Sequence, residues 1–275
     1  MKLKDGKSKV LTLSYDDGVV QDIRLIEIMD KYGIKGTFNI SSGLYVPEDT
    51  ERERFYGRMK LSEAKNLYTN SGHEVAIHAY THPYLDRLDE TTVISEILDD
   101  RRGVEKDYGT IARGMAYPFG AYSDSVVETL KKCGICYSRT VNTTLSFDFP
   151  KNWLTLDPTC HHNNPKLMDL AKNFAENTPR PAICWMFYLW GHSYEFDNND
   201  NWNVIEEFSE YIGGKDDIWY ATNIEIYDYV KAYESLQTSV DKSIIHNPSA
   251  TDVWIAPHKQ EGEIIRIPKG ETIHL

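Results

Sequence analysis

From Val10 to Asn223, apolar runs of strand length alternate with segments of helical period, and this alternation constrains the fold more than any other feature of the chain. VLTLSY, Val10 to Tyr15, reads as a buried strand, and Asp22 to Lys31 follows with Ile23, Ile26 and Met29 on one helical face. The unit recurs as KGTFNIS then LSEAKNLYTNSG, HEVAIHAYTH then TTVISEILDDRRGVEKDYG, and ARGMAYPFG then SDSVVETLKKCG. It continues with CYSRTV, WLTLDPT then PKLMDLAKNFAEN, AICWMFYLWGH then NVIEEFSEYIG, and IWYATN with its helix. Strand-helix units in series imply α/β architecture with a parallel sheet covered by helices, and about seven of them imply an irregular (β/α) barrel. Beyond Ser239 the helical period stops, and HNPSATDVWIAPHKQEGEIIRIPKGETIHL alternates apolar and polar residues between turns. The expectation is a barrel over residues 1–238 and a short β-rich appendage over 239–275 packed on it, because about thirty-five residues cannot enclose a core alone.

Charge and length narrow the partners. The chain of 275 residues carries 42 Asp and Glu against 30 Lys and Arg, a formal charge of -12. That balance argues against nucleic acid and against an anionic membrane surface, and favours a neutral or locally cationic substrate. No window approaches the ~20 apolar residues needed to span a bilayer, and MKLKDGKSKV lacks the apolar core of a signal peptide. The sequence therefore reads as cytoplasmic, or as secreted if a leader has been removed. Cys133 and Cys136 have redox or zinc spacing, but Cys160 and Cys184 make no second pair, so the four read as reduced interior thiols.

Functional groups in such barrels gather at the C-terminal strand ends, which picks out four stretches. In SYDDG, Asp16 and Asp17 close the first strand, and Gly18 permits a tight turn. Neighbouring strand residues point to opposite sides, so the two carboxylates can hold separate tasks, although paired Asp residues also cap helices. In HEVAIHAYTH, His78 and His82 fall at the end of a strand; with one carboxylate they supply three metal ligands and leave positions open for water and substrate. Such a His pair also occurs incidentally, and His73 at the strand's start belongs to the opposite barrel face. In GMAYPFGAYSD, the Pro-aromatic-Gly turn is either an ordinary turn or a source of backbone N–H groups for an oxyanion hole. In FYLWGHSYEF, His192 follows the most apolar strand beside Trp190, a setting for general acid work or for a core histidine.

Taken in order, SYDDG, HAYTH, YPFG and YLWGH resemble the polysaccharide deacetylase family, also called NodB-homology or family-four carbohydrate esterases, over roughly residues 10 to 195. The resemblance implies a metal-dependent hydrolase that removes N-acetyl, or secondarily O-acetyl, groups from an oligosaccharide or amino sugar. Asp16 would be the catalytic base, and Asp17, His78 and His82 would hold one divalent ion, usually zinc. His192 would protonate the leaving amine, the backbone N–H of Phe119 would face the oxyanion, and Tyr117 and Trp190 would meet the substrate.

Two positions depart from the family pattern. Where many members carry a base-orienting Arg two residues before the motif Pro, this chain has Ala116, and Arg113 lies three residues too early to replace it. The family's Asp-Trp dipeptide, whose Asp pairs with the catalytic His, is also missing; Asp157 in TLDPTCHH is the nearest substitute by position, and His161 and His162 beside it either reach the pocket or, as the favoured reading, serve the loop. Two other readings stand beside the deacetylase: a hydrolase of small non-peptide amides of the cyclic imide or ureide type, and a non-catalytic carbohydrate-binding protein. Retention of Asp16, Asp17, His78, His82 and His192 together argues against the last.

Overall fold

The computed structural model describes residues 1–50, 57–181, 183–256 and 263–275. Its strands are β1 (Lys9–Asp16), β2 (Gly36–Ile40), β3 (Glu74–Ile77), β4 (Gly114–Ala116), β5 (Tyr137–Arg139), β6 (Cys160–His161), β7 (Trp185–Gly191) and β8 (Ile218–Tyr220). Helices α1 (Asp22–Lys31), α2 (Leu61–Tyr68), α3 (Glu90–Tyr108), α4 (Asp124–Lys132), α5 (Leu167–Glu176), α6 (Tyr194–Asn198), α7 (Asn203–Ile212) and α8 (Asn223–Glu234) lie between and after them. Local chemistry sets several boundaries. Asp89 accepts the Thr92 N–H at the start of α3, Gly109 ends that helix in the left-handed region, and Thr222 and Glu225 cap each other's backbone at α8.

The sheet is parallel and curled, in the order β5-β4-β3-β2-β1-β7-β6. Strand β8 pairs with the first half of β1 (Lys9 to Leu11), while β2 takes up the second half from Leu13 onward. Closure falls to the segment after β5. Leu156 bonds the backbone of Ser138 and Thr140, and four and five residues later Cys160 and His161 pair with Leu189 and Trp190 of β7. The sixth strand is thus two residues long and sits beyond the expected WLTLDPT, where Trp153–Thr155 form a helical turn instead. The short α6 follows His192 and was not legible in the periodicity. Ala182, at the start of the expected seventh strand, and residues 257–262 of the C-terminal stretch lie outside the described residues.

Alternation along β1 divides the molecule into two environments. Leu11, Leu13 and Tyr15 join the main apolar core with Leu25, Met29, Phe208 and Ile212 of the surrounding helices. The alternate side chains, Thr12, Ser14 and Asp16, are also fully buried but face a polar interior. There Thr12 donates to Asn223, whose amide donates to the Tyr188 hydroxyl, and Asn39 donates to both Ser14 and Asp16. The interior therefore becomes more polar toward the end of β1 where the site lies.

The C-terminal stretch forms short antiparallel ladders: β9 (Gln237–Thr238), β10 (Ile244–His246) and β13 (Thr272–His274) in one, β11 (Val253–Ile255) and β12 (Ile265–Ile267) in the other. It is tied to the chain's first residues by the Lys2 N–H on Trp254 and by the Tyr229 hydroxyl, which donates to Lys2 and accepts from the Trp254 N–H. This contact lies at the opposite end of β1 from Asp16.

Lys9 anchors one side of the barrel. Its buried ammonium donates to the carbonyls of Phe174, Ala175 and Asn177 at the end of α5 and pairs with Asp217 at 2.6 Å. A cation there satisfies carbonyls that have no helical partner and opposes the negative helix end. Lys9→Met keeps the stem and strips the donor, and should lower unfolding free energy by roughly 3 kcal/mol. Urea denaturation checks this; an unchanged midpoint would show that the ammonium is dispensable.

Candidate metal centre and active site

The loop after β1 is strained. Asp17 adopts φ 83° and Gly18 φ 63°, so the chain turns immediately after Asp16 and sends the two carboxylates different ways. At the end of β3, Ala79 and His82 are also left-handed, with φ of 61° and 56°. Non-glycine residues in this region cost on the order of 1–3 kcal/mol each and persist only where surroundings enforce them. Both strained turns meet at one point. The ligand atoms of Asp17, His78 and His82 lie within 4.8 Å of one another, with His82 Nε2 3.7 Å from Asp17 Oδ1.

The donor set fits a divalent ion. His78 donates its Nδ1 proton to the Ala116 carbonyl at 2.7 Å, which leaves the Nε2 lone pair facing the cluster. Burial pulls His78 below the ordinary imidazole range, and burial followed by the charge on His78 takes His82 to about 4. Both rings are therefore neutral near pH 7, as ligation requires. Asp100, fully buried at the centre of α3, accepts the backbone N–H groups of His78 (2.9 Å) and Ser42 (2.7 Å), fixing the histidine's loop from behind. Arg58 clasps Asp17 through both its carbonyl (2.9 Å) and its carboxylate (2.8 Å). Beside this pair opens a cavity of about 290 Å³ lined by Val19, Gly57, Tyr194 and Asn198.

Asp16 is built differently. Only 2% exposed, it accepts from Asn39 on Oδ1 (2.8 Å) and from the Arg139 guanidinium on Oδ2, while His78 Nε2 and His192 Nε2 each lie 3.8 Å from Oδ2. Burial alone would raise its pKa, but Arg139, His78, His192 and Asn39 outweigh it and hold the carboxyl below its usual range. Arg139 is itself buried over the face of Trp190, 4.2 Å from the ring centroid. Its strand position explains how it reaches Asp16. Arg139 on β5 is the register partner of Ala116 on β4, so the guanidinium enters from the next strand at the same level.

His192 projects from the end of β7. Its Nδ1 pairs with Glu195 Oε1 at 2.9 Å, which turns Nε2 toward Asp16. Burial lowers the imidazole's pKa, yet the Glu195 hydrogen bond and the charges of Asp16, Asp17 and Glu195 more than reverse this and raise it.

Other expected positions fall elsewhere. Asp157 accepts from Thr140 and Asn142 and makes no contact with His192; Glu195, three residues after the histidine on α6, occupies that role instead. Arg113 is bidentate to Asp228, away from Asp16. Tyr117 is buried with its hydroxyl on the Leu154 carbonyl, because the residue before Pro118 stays extended and points into the core. Trp190 is 9% exposed and supports Arg139, so it offers no open platform. Phe119 does reach the site. Its backbone is left-handed (φ 58°), its ring stacks on Tyr84 at 4.0 Å, and His82 meets it edge-on at 4.5 Å. His73 binds Asp30 and the Gly36 N–H, outside the site as expected.

Residues 3–138 match the model of the polysaccharide deacetylase family. That match covers just under half of the chain. The chain is 26% identical over 131 residues to a peptidoglycan-N-acetylglucosamine deacetylase of Listeria monocytogenes, covering 46% of the chain and 25% of that protein. It is 29% identical over 128 residues to a chitooligosaccharide deacetylase of a Bradyrhizobium species, covering 45% and 52%. The chain thus matches a quarter to about half the length of these curated relatives. Two solved structures share the fold. A Mycobacterium smegmatis protein assigned to the polysaccharide deacetylases gives a TM-score of 0.58 at 15% identity, covering 85% of this chain and 94% of that one. A family 4 carbohydrate esterase from Streptomyces lividans gives 0.51 at 14% identity, covering 77% and 91%.

The Asp16–Arg139 pair carries a stability consequence. Arg139→Met leaves a buried carboxylate without its cation and should cost about 3–5 kcal/mol, most of it recovered by adding Asp16→Asn. Because the folded pKa of Asp16 is depressed, the pair's contribution is complete above pH ~4 and is lost as pH falls through the lower folded value. Denaturation of the two single variants and the double variant tests this, and simple additivity of the losses would refute the pairing.

Proposed function

We propose that the chain is a metal-dependent hydrolase that removes acetyl groups from an N-acetylated carbohydrate. The observation that carries this reading is the separation of two carboxylates with different surroundings. Asp17 converges with two neutral histidines, while Asp16 is held ionised by Arg139 a few ångströms away. A divalent ion such as zinc, held by Asp17, His78 and His82, would supply Lewis acidity at the acetyl carbonyl and at the attacking water.

The chain's own groups handle the protons. Asp16 accepts one from the attacking water, and its fixed hydrogen bonds to Asn39 and Arg139 keep the carboxylate from turning away. His192, cationic and held through Nδ1 by Glu195, gives its Nε2 proton to the departing amine. The Phe119 N–H, presented by the left-handed turn after Pro118, faces the developing oxyanion. Tyr84 and Phe119, 39% and 53% exposed, form a stacked aromatic rim on which a sugar face can lie. The named relatives act on peptidoglycan N-acetylglucosamine and on chitooligosaccharide, and both support an N-acetylated sugar as substrate.

The decisive experiment measures zinc content and acetate release from N-acetylglucosamine oligomers. His82→Ala should lose both together. Asp16→Asn should keep the metal and lose turnover by about 100- to 10,000-fold; near-normal rates would move the base elsewhere. Since the His192 pKa is raised, the active cation persists through pH ~6.5 and the rate should fall at higher pH as it deprotonates. His192→Gln should abolish that alkaline limb.

A further inference from the structure

A second group of metal-capable side chains lies beside His192. His161 Nε2 and His162 Nε2 stand 3.2 and 3.0 Å from Glu195 Oε2, and the Asn163 side-chain amide donates to the same oxygen at 3.0 Å. By proximity alone this is a second metal site. The tautomer of His161 argues otherwise. Its Nδ1 accepts the Asn163 backbone N–H at 3.1 Å, so the ring proton resides on Nε2 and is directed to the Glu195 side. Ligation through Nε2 would then require lone pairs on both nitrogens, an imidazolate.

His162 is locked more tightly still. It is fully buried, packs against both Tyr15 (5.7 Å) and Phe196 (4.2 Å), and lies so close to Gly191 that a Cβ there would come within 2.0 Å of Nδ1. Burial takes His161 to about 4 and lowers His162 as well, so both rings are neutral and each presents one N–H. Glu195 accepts from His192 on Oε1 and from Asn163 on Oε2 with both imidazoles lying against Oε2, and although burial would raise its carboxyl, the contacts with His162 and His192 hold it well below the usual carboxylate range.

We propose that His161, His162 and Asn163 are positioning residues that fix the Glu195 carboxylate as the Nδ1 partner of His192, and that this cluster holds no metal. The role rests on His192 acting as the acid in the deacetylase reaction. Glu195 has a side chain one methylene longer than aspartate and sits on the five-residue α6, so without the neighbouring N–H groups it would sample several rotamers. Held as observed, it keeps the Nε2–H of His192 directed at the reacting centre.

Two experiments on the full chain test this. Long-range ¹H–¹⁵N spectra at pH 7, read without substrate and so independent of the deacetylase reading, should show His161 and His162 protonated on Nε2. His192 should give a downfield Nδ1 proton that disappears in Glu195→Gln, and zinc should saturate at one equivalent. An Nδ1-protonated His161, or a second zinc equivalent lost in His161→Gln, would overturn the proposal. Kinetically, His162→Phe and Asn163→Ala should lower kcat on an N-acetyl substrate, about 10-fold or more for His162 as for other outer-shell supports, with KM and zinc content unchanged. The loss should be smaller on an activated acetate ester, whose leaving group needs no acid, and His161→Gln should outperform His161→Phe because it restores an N–H donor. Equal losses on amide and ester in all variants would assign the cluster a purely structural role.

Discussion

A guanidinium and a carboxylate sealed inside the barrel, Arg139 and Asp16, are the contact around which the site is organised. Taking either charge out of water alone would cost several kcal/mol, so each is tolerable only with the other in place. The pair ties the ends of β1 and β5, on opposite sides of β2, β3 and β4, to one geometry. Trp190 from β7, the neighbour of β1, closes over Arg139, so side chains from three strands determine where one carboxylate oxygen lies. The ionised state of Asp16 follows from that enclosure, since burial alone would neutralise it.

Around this pair the remaining polar groups sort by what backs them. His78 is fixed at its backbone by Asp100 and at its ring by Ala116; Asp17 is fixed by Arg58; His192 is fixed by Glu195. Each of these three groups has a partner on its far side, which holds its free face in one orientation. The left-handed residues Asp17, His82 and Phe119 belong to the same economy, their strain held by the strand ends that carry them.

The apolar shell and the polar interior are coupled through strand alternation. Leu11, Leu13 and Tyr15 bury one face of β1 against the helices, and that packing fixes the register that sends Ser14 and Asp16 inward. A one-residue slip would exchange the two sets, so the hydrophobic core specifies the site's chemistry indirectly. The C-terminal ladders join the other end of β1, remote from Asp16.

The sequence by itself determined the order of strands and helices, the parallel sheet and the strand-end placement of Asp16, Asp17, His78, His82 and His192, because each is encoded by local periodicity and by short motifs. Tertiary structure alone decided the partners. Arg139 reaches Asp16 through the β4–β5 register, in which Ala116 stands opposite it, and no spacing along the chain records a lateral pairing. Glu195 was nearer to legible, three residues after His192 in WGHSYEF, but only a helical turn at α6 brings the two together, and five residues give no periodicity to read. His161 and His162 read in the sequence as pocket or loop residues with the loop favoured, because β6, which ends at His161, is two residues long and is held by pairing to β7 instead of by its own apolar pattern. Tyr117 and Asp157 show the converse: a motif position fixes where the backbone passes, while packing and rotamer choice decide which way the side chain turns.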